Sequence, residues 1–228
     1  ALQPQLVSWR RHIHQYPELA FQEKLTAKFI AEKLGEWGIN HQTQIAETGI
    51  VAIIEGRQPG PVLAIRADFD ALPIQEQNKV SYKSCHDGIM HACGHDGHTS
   101  ILLGTAKYLQ ETRNFDGTVV LIFQPAEEGG AGGKAMCEDG LMDRWGIQEV
   151  YGLHNMPGLP TGEFAIRPGA LLASSDEFEI KVTGKGGHAA APHMAVDTTL
   201  VASQIVVSLH SIVSRNVDPI KRVVLTVG

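Results

Sequence analysis

The alternation of apolar and polar positions divides the chain into two stretches of different character. Leu25, Phe29, Ile30 and Leu34 recur at helical spacing, and Gly35 and Gly38 close that helix. Two strand-like runs follow, 50–54 and 61–67 (PVLAIRA). Leu102, Leu103, Ala106 and Leu109 mark a second helix that ends near 114–117, and the apolar run 118–123 reads as a buried strand. A short helical segment around 134–142 leads to a strand over 149–153. Strands alternating with helices predict an α/β fold, a mostly parallel sheet with helices on its faces. Past Gly169 the rhythm changes. Residues 177–183 (EFEIKVT) alternate with period two, Val201, Ile205, Leu209 and Ile212 share a helical face, and 222–227 reads as a strand. Strand, helix, strand is half of a small α+β sandwich.

Composition narrows the classes. At about 150 residues per domain, a chain of 228 is an awkward one and a half domains. Hydrophobic residues make up 43% and charged residues 19%, which suits a buried core rather than a disordered tail. A net charge of −6, with no basic run of five or more, argues against nucleic acid as the main partner. No apolar stretch approaches the ~20 residues that span a bilayer, so no membrane partner is expected. Three cysteines (Cys85, Cys93 and Cys137) are too few, and odd in number, for a disulfide framework. A cytoplasmic location is the default. There, a cysteine within a histidine cluster reads first as a metal ligand or a nucleophile.

That cluster is His91-Ala-Cys93-Gly-His95-Asp96-Gly-His98, just before a helix. Thiolate and imidazole two residues apart suit a borderline-soft ion such as zinc. Glu127 and Glu128 follow the 118–123 strand; adjacent side chains diverge, so one can hold a metal while the other acts as a base on water. Asp68 and Asp70 follow the 61–67 strand, and His154 follows the 149–153 strand. Alone, each group also has a plain reading: a histidine-rich loop, a solvated acid pair, turn-capping aspartates, a strand-end histidine. Together they fall on the rim where parallel strands end, and form a plausible two-metal site with ions about 3.5–4 Å apart. His188, on the glycine-rich turn Gly184-Lys-Gly-Gly187, could donate a hydrogen bond to a developing oxyanion, or be a solvated hairpin histidine.

Seven ordered segments resemble the hippurate hydrolase branch of a metallo-amidohydrolase family that also contains aminoacylases, carboxypeptidase G and dipeptidases. They are RADFDALPIQE, MHACGHDGHT, FQPAEEGGAGGKAM, GLHNMPGLPTG, ASSDEFEI, GKGGHAAAPH and SIVSRNVDP, preceded by RRHIHQYPELAFQE. The resemblance implies a zinc-peptidase-like α/β catalytic domain over 1–174 and an inserted α+β, ferredoxin-like lid over 175–228 that mediates homodimerisation. It implies hydrolysis of the amide bond of N-acyl amino acids by two divalent ions (zinc, manganese, nickel or cobalt). Cys93, His95, Glu128 and His154 match metal ligands, with Cys93 bridging. Glu127 matches the general base and later proton donor. Asp70 matches the aspartate that orients a ligand, and His188 matches the lid histidine that reaches a neighbouring subunit's site. Nothing in the resemblance makes His98 a ligand, and His91 reads as a residue that supports the ligands rather than one of them. It also implies a longer chain with one further histidine ligand, so the chain is expected to be C-terminally incomplete and weakly active or inactive as it stands. Two rivals remain at this point: a catalytically inactive metal-binding fragment of the same fold, and a cysteine hydrolase using Cys93 without metal.

Overall fold

The computed structural model describes residues 2–228, which form two compact units, one running to Thr161 and the other Gly162–Gly228. The first unit is built on a five-stranded sheet. Its strands are β1 (Asn40–Ile45), β2 (Gly49–Glu55), β3 (Val62–Asp68), β4 (Thr118–Gln124) and β5 (Glu149–Gly152), in the order β1-β2-β4-β3-β5. The expectation of a mostly parallel sheet needs correction. Only β4-β3-β5 run parallel, while β2 pairs antiparallel with β4 and β1 antiparallel with β2. Residues 46–48 are too short for a crossover helix, so β1 and β2 can only form a hairpin.

Five helices accompany this sheet: α1 (Gln3–Gln15), α2 (Lys24–Glu36), α3 (His95–Thr112), α4 (Gly132–Glu138) and α5 (Leu141–Trp145). Period-two alternation sends the strand residues into two cores. Ile50, Ala52 and Ile54 of β2 and Val119, Leu121 and Phe123 of β4 join Ile30 and Leu34 of α2 and Leu102, Leu103 and Ala106 of α3. Val51, Val120 and Ile122 instead meet Met136 of α4 and Leu141 of α5. The β3–α3–β4 and β4–α4–α5–β5 connections move in opposite directions across the sheet. Crossovers of one hand then place their helices on opposite faces.

Three elements depart from the sequence pattern. Helix α1 is polar at most positions; it packs on α3, where a Cβ at Gly104 would run into the Leu6 side chain. Strand β1 (NHQTQI) is a polar edge strand with one buried residue, a pattern that periodicity cannot flag. The segment expected over 134–142 breaks into α4 and α5 at Gly140, whose φ of +83° only glycine adopts readily.

The second unit contains one long helix, α6 (Thr198–Arg215), capped by Asp197, whose side chain accepts the Leu200 N–H. The strands expected over 177–183 and 222–227 are not formed among the described residues. Phe178, Ile180, Val182 and Val227 instead line a cavity against Ile205 and Leu209 of α6. Their apolar side chains are gathered there without a hydrogen-bonded ladder between the segments, and a strand exists only through such a ladder.

Candidate metal centre

Strand order decides which residues meet. In the parallel part of the sheet β3 is central, flanked by β4 and β5. The C-terminal exits of these three strands carry Asp68 and Asp70, Glu127 and Glu128, and His154, so the acids and the histidine converge from three sides. In open α/β sheets this rim is where ligands bind. Ala67 and Phe69 are anchored in the core that faces α2 and α3, and the alternation turns Asp68 and Asp70 to the other side.

The start of α3 completes the group. Gly94 precedes the helix with φ of +89°, and a Cβ there would run into the Asn155 side-chain amide. Glycine therefore permits both the turn and the close approach of the Cys93–His95 segment to the His154–Asn155 segment. Cys93 Sγ lies 3.3 Å from His154 Nε2. His154 Nδ1 donates to the Asn155 carbonyl at 2.7 Å, which leaves Nε2 with its lone pair toward the thiol.

His95 is the hub. It is fully buried, and its Nδ1 donates to Asp70 Oδ1 at 3.1 Å. Its Nε2 faces Asp68 Oδ2 at 3.7 Å, Glu128 Oε1 at 3.8 Å and Glu127 Oε2 at 3.9 Å. Among the described residues, His95 Nε2 and Glu128 Oε1 are buried with no hydrogen-bond partner. Buried polar atoms are rarely orphaned, and two facing each other call for an ion or water. Asp70 also ties the site together, because its Oδ2 accepts the Glu128 backbone N–H at 2.8 Å.

Ligand atoms of Cys93, His95 and His154 lie close enough to share an ion, as do those of His95, Glu127 and Glu128. Asp68, His95 and His98 form a third such group, but His98 has no lone pair to spare. Its Nδ1 donates to Asp68 Oδ1 at 2.6 Å and its Nε2 accepts the Asn155 N–H at 3.0 Å. His98 therefore braces the His154 turn, a role the sequence reading left open. Its position one helical turn after His95 was the available signal.

The electrostatics are those of a crowded anionic hollow. Burial, reinforced by Glu128, Glu127 and Asp68, pushes the Cys93 thiol up to about 12. Burial works against charge on His95, but the Asp70 bond and the carboxylates of Asp68 and Glu128 outweigh it and raise its pKa. Burial likewise opposes charge on Asp68, yet the His98 bond and the Arg66 guanidinium hold it down at about 2. A bound divalent cation would reverse the thiol's preference. Soft sulfur, two imidazole lone pairs and carboxylates form a donor set that fits such an ion.

His188 belongs to the second unit. It is exposed on the turn after Gly187, and its Nδ1 accepts the Ala190 N–H at 3.1 Å.

Comparison with known proteins gives concordant results. The model of the peptidase family M20/M25/M40 matches residues 64–221. The N-acetyl-L-cysteine deacetylase of Bacillus subtilis is 49% identical over 228 residues, which is all of this chain and 54% of that protein. The hippurate hydrolase of Campylobacter jejuni is 47% identical over 227 residues, covering 100% of this chain and 59% of its own length. The chain thus spans little more than half of these relatives. A solved Bacillus subtilis structure, described as a dinuclear metal-binding peptidase of the M20 family, superposes with a TM-score of 0.68 at 47% identity, covering 71% of this chain and 45% of that one.

Proposed function

The chain belongs to the peptidase family M20/M25/M40, and from that premise we propose that it carries the metal-binding part of an amidohydrolase that cleaves N-acyl amino acids to a carboxylic acid and an amino acid. The observation that carries this reading is the pair of orphaned, mutually facing atoms His95 Nε2 and Glu128 Oε1, ringed by Asp68, Glu127, Cys93 and His154. Relatives named for N-acetyl-L-cysteine and hippurate support the substrate class.

In this reading Cys93, His95, Glu128 and His154 hold two divalent cations, zinc, manganese, nickel or cobalt. Bound there, the cations supply positive charge that polarises the scissile carbonyl and acidifies a water. Glu127, the more exposed acid with 42% of its side chain accessible against 21% for Glu128, takes the proton of the attacking water and returns it to the leaving amine. Asp70 fixes the imidazole of His95 so that Nε2 faces inward. His188 donates to the oxyanion from a ferredoxin-like lid over 175–228, within a homodimer whose catalytic portion is 1–174. The cell compartment proposed is the cytoplasm. No helix among the described residues is long and apolar enough to cross a membrane.

The cysteine-hydrolase alternative fares worse. A thiol pushed up to about 12 is protonated at neutral pH, and the thiolate is the nucleophile.

The test is a panel of benzoyl, acetyl and indolyl-acetyl amino acids, run on the native-length protein before chelation, after it, and after each metal is restored. Hydrolysis that disappears on chelation and returns with a divalent ion is expected. Hydrolysis indifferent to chelation, or none from protein loaded with two ions, would overturn the reading.

A further inference from the structure

The segment 17–23 (PELAFQE) between α1 and α2 has no role in the chemistry above, yet it touches two of the strand exits that build the site. Leu19 pairs with Ala71 in an isolated parallel bridge, and the Ala71 N–H donates to the Glu18 carbonyl at 2.8 Å, directly after Asp70. Further along, the Phe21 ring abuts Gly130, where a Cβ would lie 2.6 Å from both that ring and the Ala126 Cβ.

Glu23 is the unexpected member. It is fully buried, and among the described residues it makes no ion pair. A buried carboxylate without a cation is costly unless hydrogen bonds hold it. It occupies the N-cap position of α2 but makes no capping bond. Glu18 does that work, accepting the Leu25 N–H at 3.0 Å and the Thr26 N–H at 2.8 Å. Glu23 reaches across the unit instead. Its Oε2 accepts the Thr48 hydroxyl at 2.7 Å and its Oε1 accepts the Ala126 N–H at 2.9 Å.

Ala126 immediately precedes the Glu127–Glu128 pair. Its φ of +51° is left-handed, a conformation that a residue with a Cβ keeps only where its surroundings over-determine it. Its carbonyl accepts from the amides of Gly130 at 3.3 Å and Gly132 at 3.0 Å. The turn is therefore closed on its carbonyl side by its own glycines, and on its amide side by Glu23.

We infer that Glu23 is a positioning residue: by clamping the Ala126 amide it holds the left-handed turn that aims Glu127 and Glu128 at His95. The inference rests on the roles proposed for those two acids. Thr48 steadies the second oxygen of the clamp, and Phe21 backs the turn at Gly130.

The experiment compares Glu23→Met and Thr48→Val with the unaltered native-length protein. Methionine is close to glutamate in length but offers no oxygen to the Ala126 amide, whereas glutamine could keep both contacts by accepting from that amide and donating its NH2 to the Thr48 hydroxyl. Three quantities are read: amide exchange over 125–132, bound metal per chain, and kcat with KM. Glu23→Met should accelerate exchange over 125–132 and lower kcat by about 10- to 100-fold, the scale expected for a misplaced catalytic group. KM should stay within about threefold. Thr48→Val should show a smaller effect of the same kind, and it carries the test if Glu23→Met does not fold. Wild-type exchange over 125–132 with wild-type kcat in a folded variant would overturn the inference. So would a kcat loss that merely follows the fraction unfolded. The exchange readout needs no substrate. If the unaltered protein hydrolyses no N-acyl amino acid but exchange still responds to Glu23, the clamp stands and the amidohydrolase reading fails.

Discussion

Replacing Asp70 by asparagine removes one acceptor from a residue that uses both. Asp70 is 1% exposed, and its oxygens accept from His95 Nδ1 at 3.1 Å and from the Glu128 amide at 2.8 Å. Asparagine offers one oxygen and one NH2 group. If the oxygen keeps the Glu128 amide, the NH2 faces His95 Nδ1, which then has to accept. The imidazole proton moves to Nε2 and covers the lone pair that faces Asp68, Glu127 and Glu128. If the amide turns the other way, His95 keeps its tautomer and the Glu128 N–H is left unpaired, at a cost of about 1–3 kcal/mol. Either arrangement spoils one ligand. Loss of such an orienting partner typically lowers metal affinity 10- to 100-fold, or about 1.4–2.7 kcal/mol. The assay is competition for zinc against a chromophoric chelator at fixed pH, with thermal unfolding of metal-free protein measured alongside. A loss in that range is expected for Asp70→Asn. Undiminished affinity for both ions would refute the argument that Asp70 sets the His95 tautomer.

The paired acids should separate by function: Glu127→Gln keeps bound metal while kcat falls about 10²- to 10⁴-fold, whereas Glu128→Gln loses metal, and the reverse pattern in metal analysis would exchange their roles. Asp68, held at about 2, stabilises the fold above the usual aspartate value, and that contribution is lost as pH falls toward about 2. Denaturant unfolding of metal-free protein from about pH 5 to pH 2 should therefore show roughly 2 kcal/mol more acid loss in the wild type than in Asp68→Asn, and parallel curves would count against it. Metal-free Cys93, whose thiol is pushed up to about 12, should alkylate with iodoacetamide more slowly at neutral pH than the exposed Cys85 and Cys137, as read by peptide mass. Faster reaction at Cys93 would revive the cysteine-nucleophile reading.

Much of the site was legible because its residues cluster at element boundaries that periodicity marks well. A run as apolar as 118–123 can hardly be anything but a buried strand, so Glu127 and Glu128 had to lie at its exit. The same holds for Asp68 and Asp70 after β3 and for His154 after β5. What escaped was set by tertiary contact. β1 is polar because one side of it faces water, and α1 is anchored by a few apolar side chains such as Leu6 that reach α3. The parallel expectation failed at β2, whose apolar run suits either direction; the short turn at 46–48 set its pairing. In the second unit, Phe178, Ile180 and Val182 do line one cavity, but Glu177 and Glu179 line it too, and alternation does not supply a hydrogen-bonded partner. The bracing contact of His98 and the clamp of Glu23 escaped for a different reason. Their partners lie 30 and 103 positions away, and no local pattern encodes a contact of that kind.

The raised pKa values of His95 and Cys93 follow largely from one arrangement. Burial disfavours charge on either group, but the surrounding carboxylates act oppositely on the two: they favour a cation on His95 and disfavour an anion on Cys93. A proton on His95 Nε2 and a metal ion at the same lone pair exclude each other. Metal binding at this hollow, as proposed above, would therefore compete with protons and weaken as pH falls. Asp70 biases that competition by occupying Nδ1, which makes Nε2 the one nitrogen over which proton and metal compete. His98 is excluded from it, since both its nitrogens are engaged by Asp68 and Asn155. Two histidines on one helical turn thus separate into a proposed ligand with a free Nε2 and a brace with both nitrogens engaged, a distinction that spacing in the sequence could not draw.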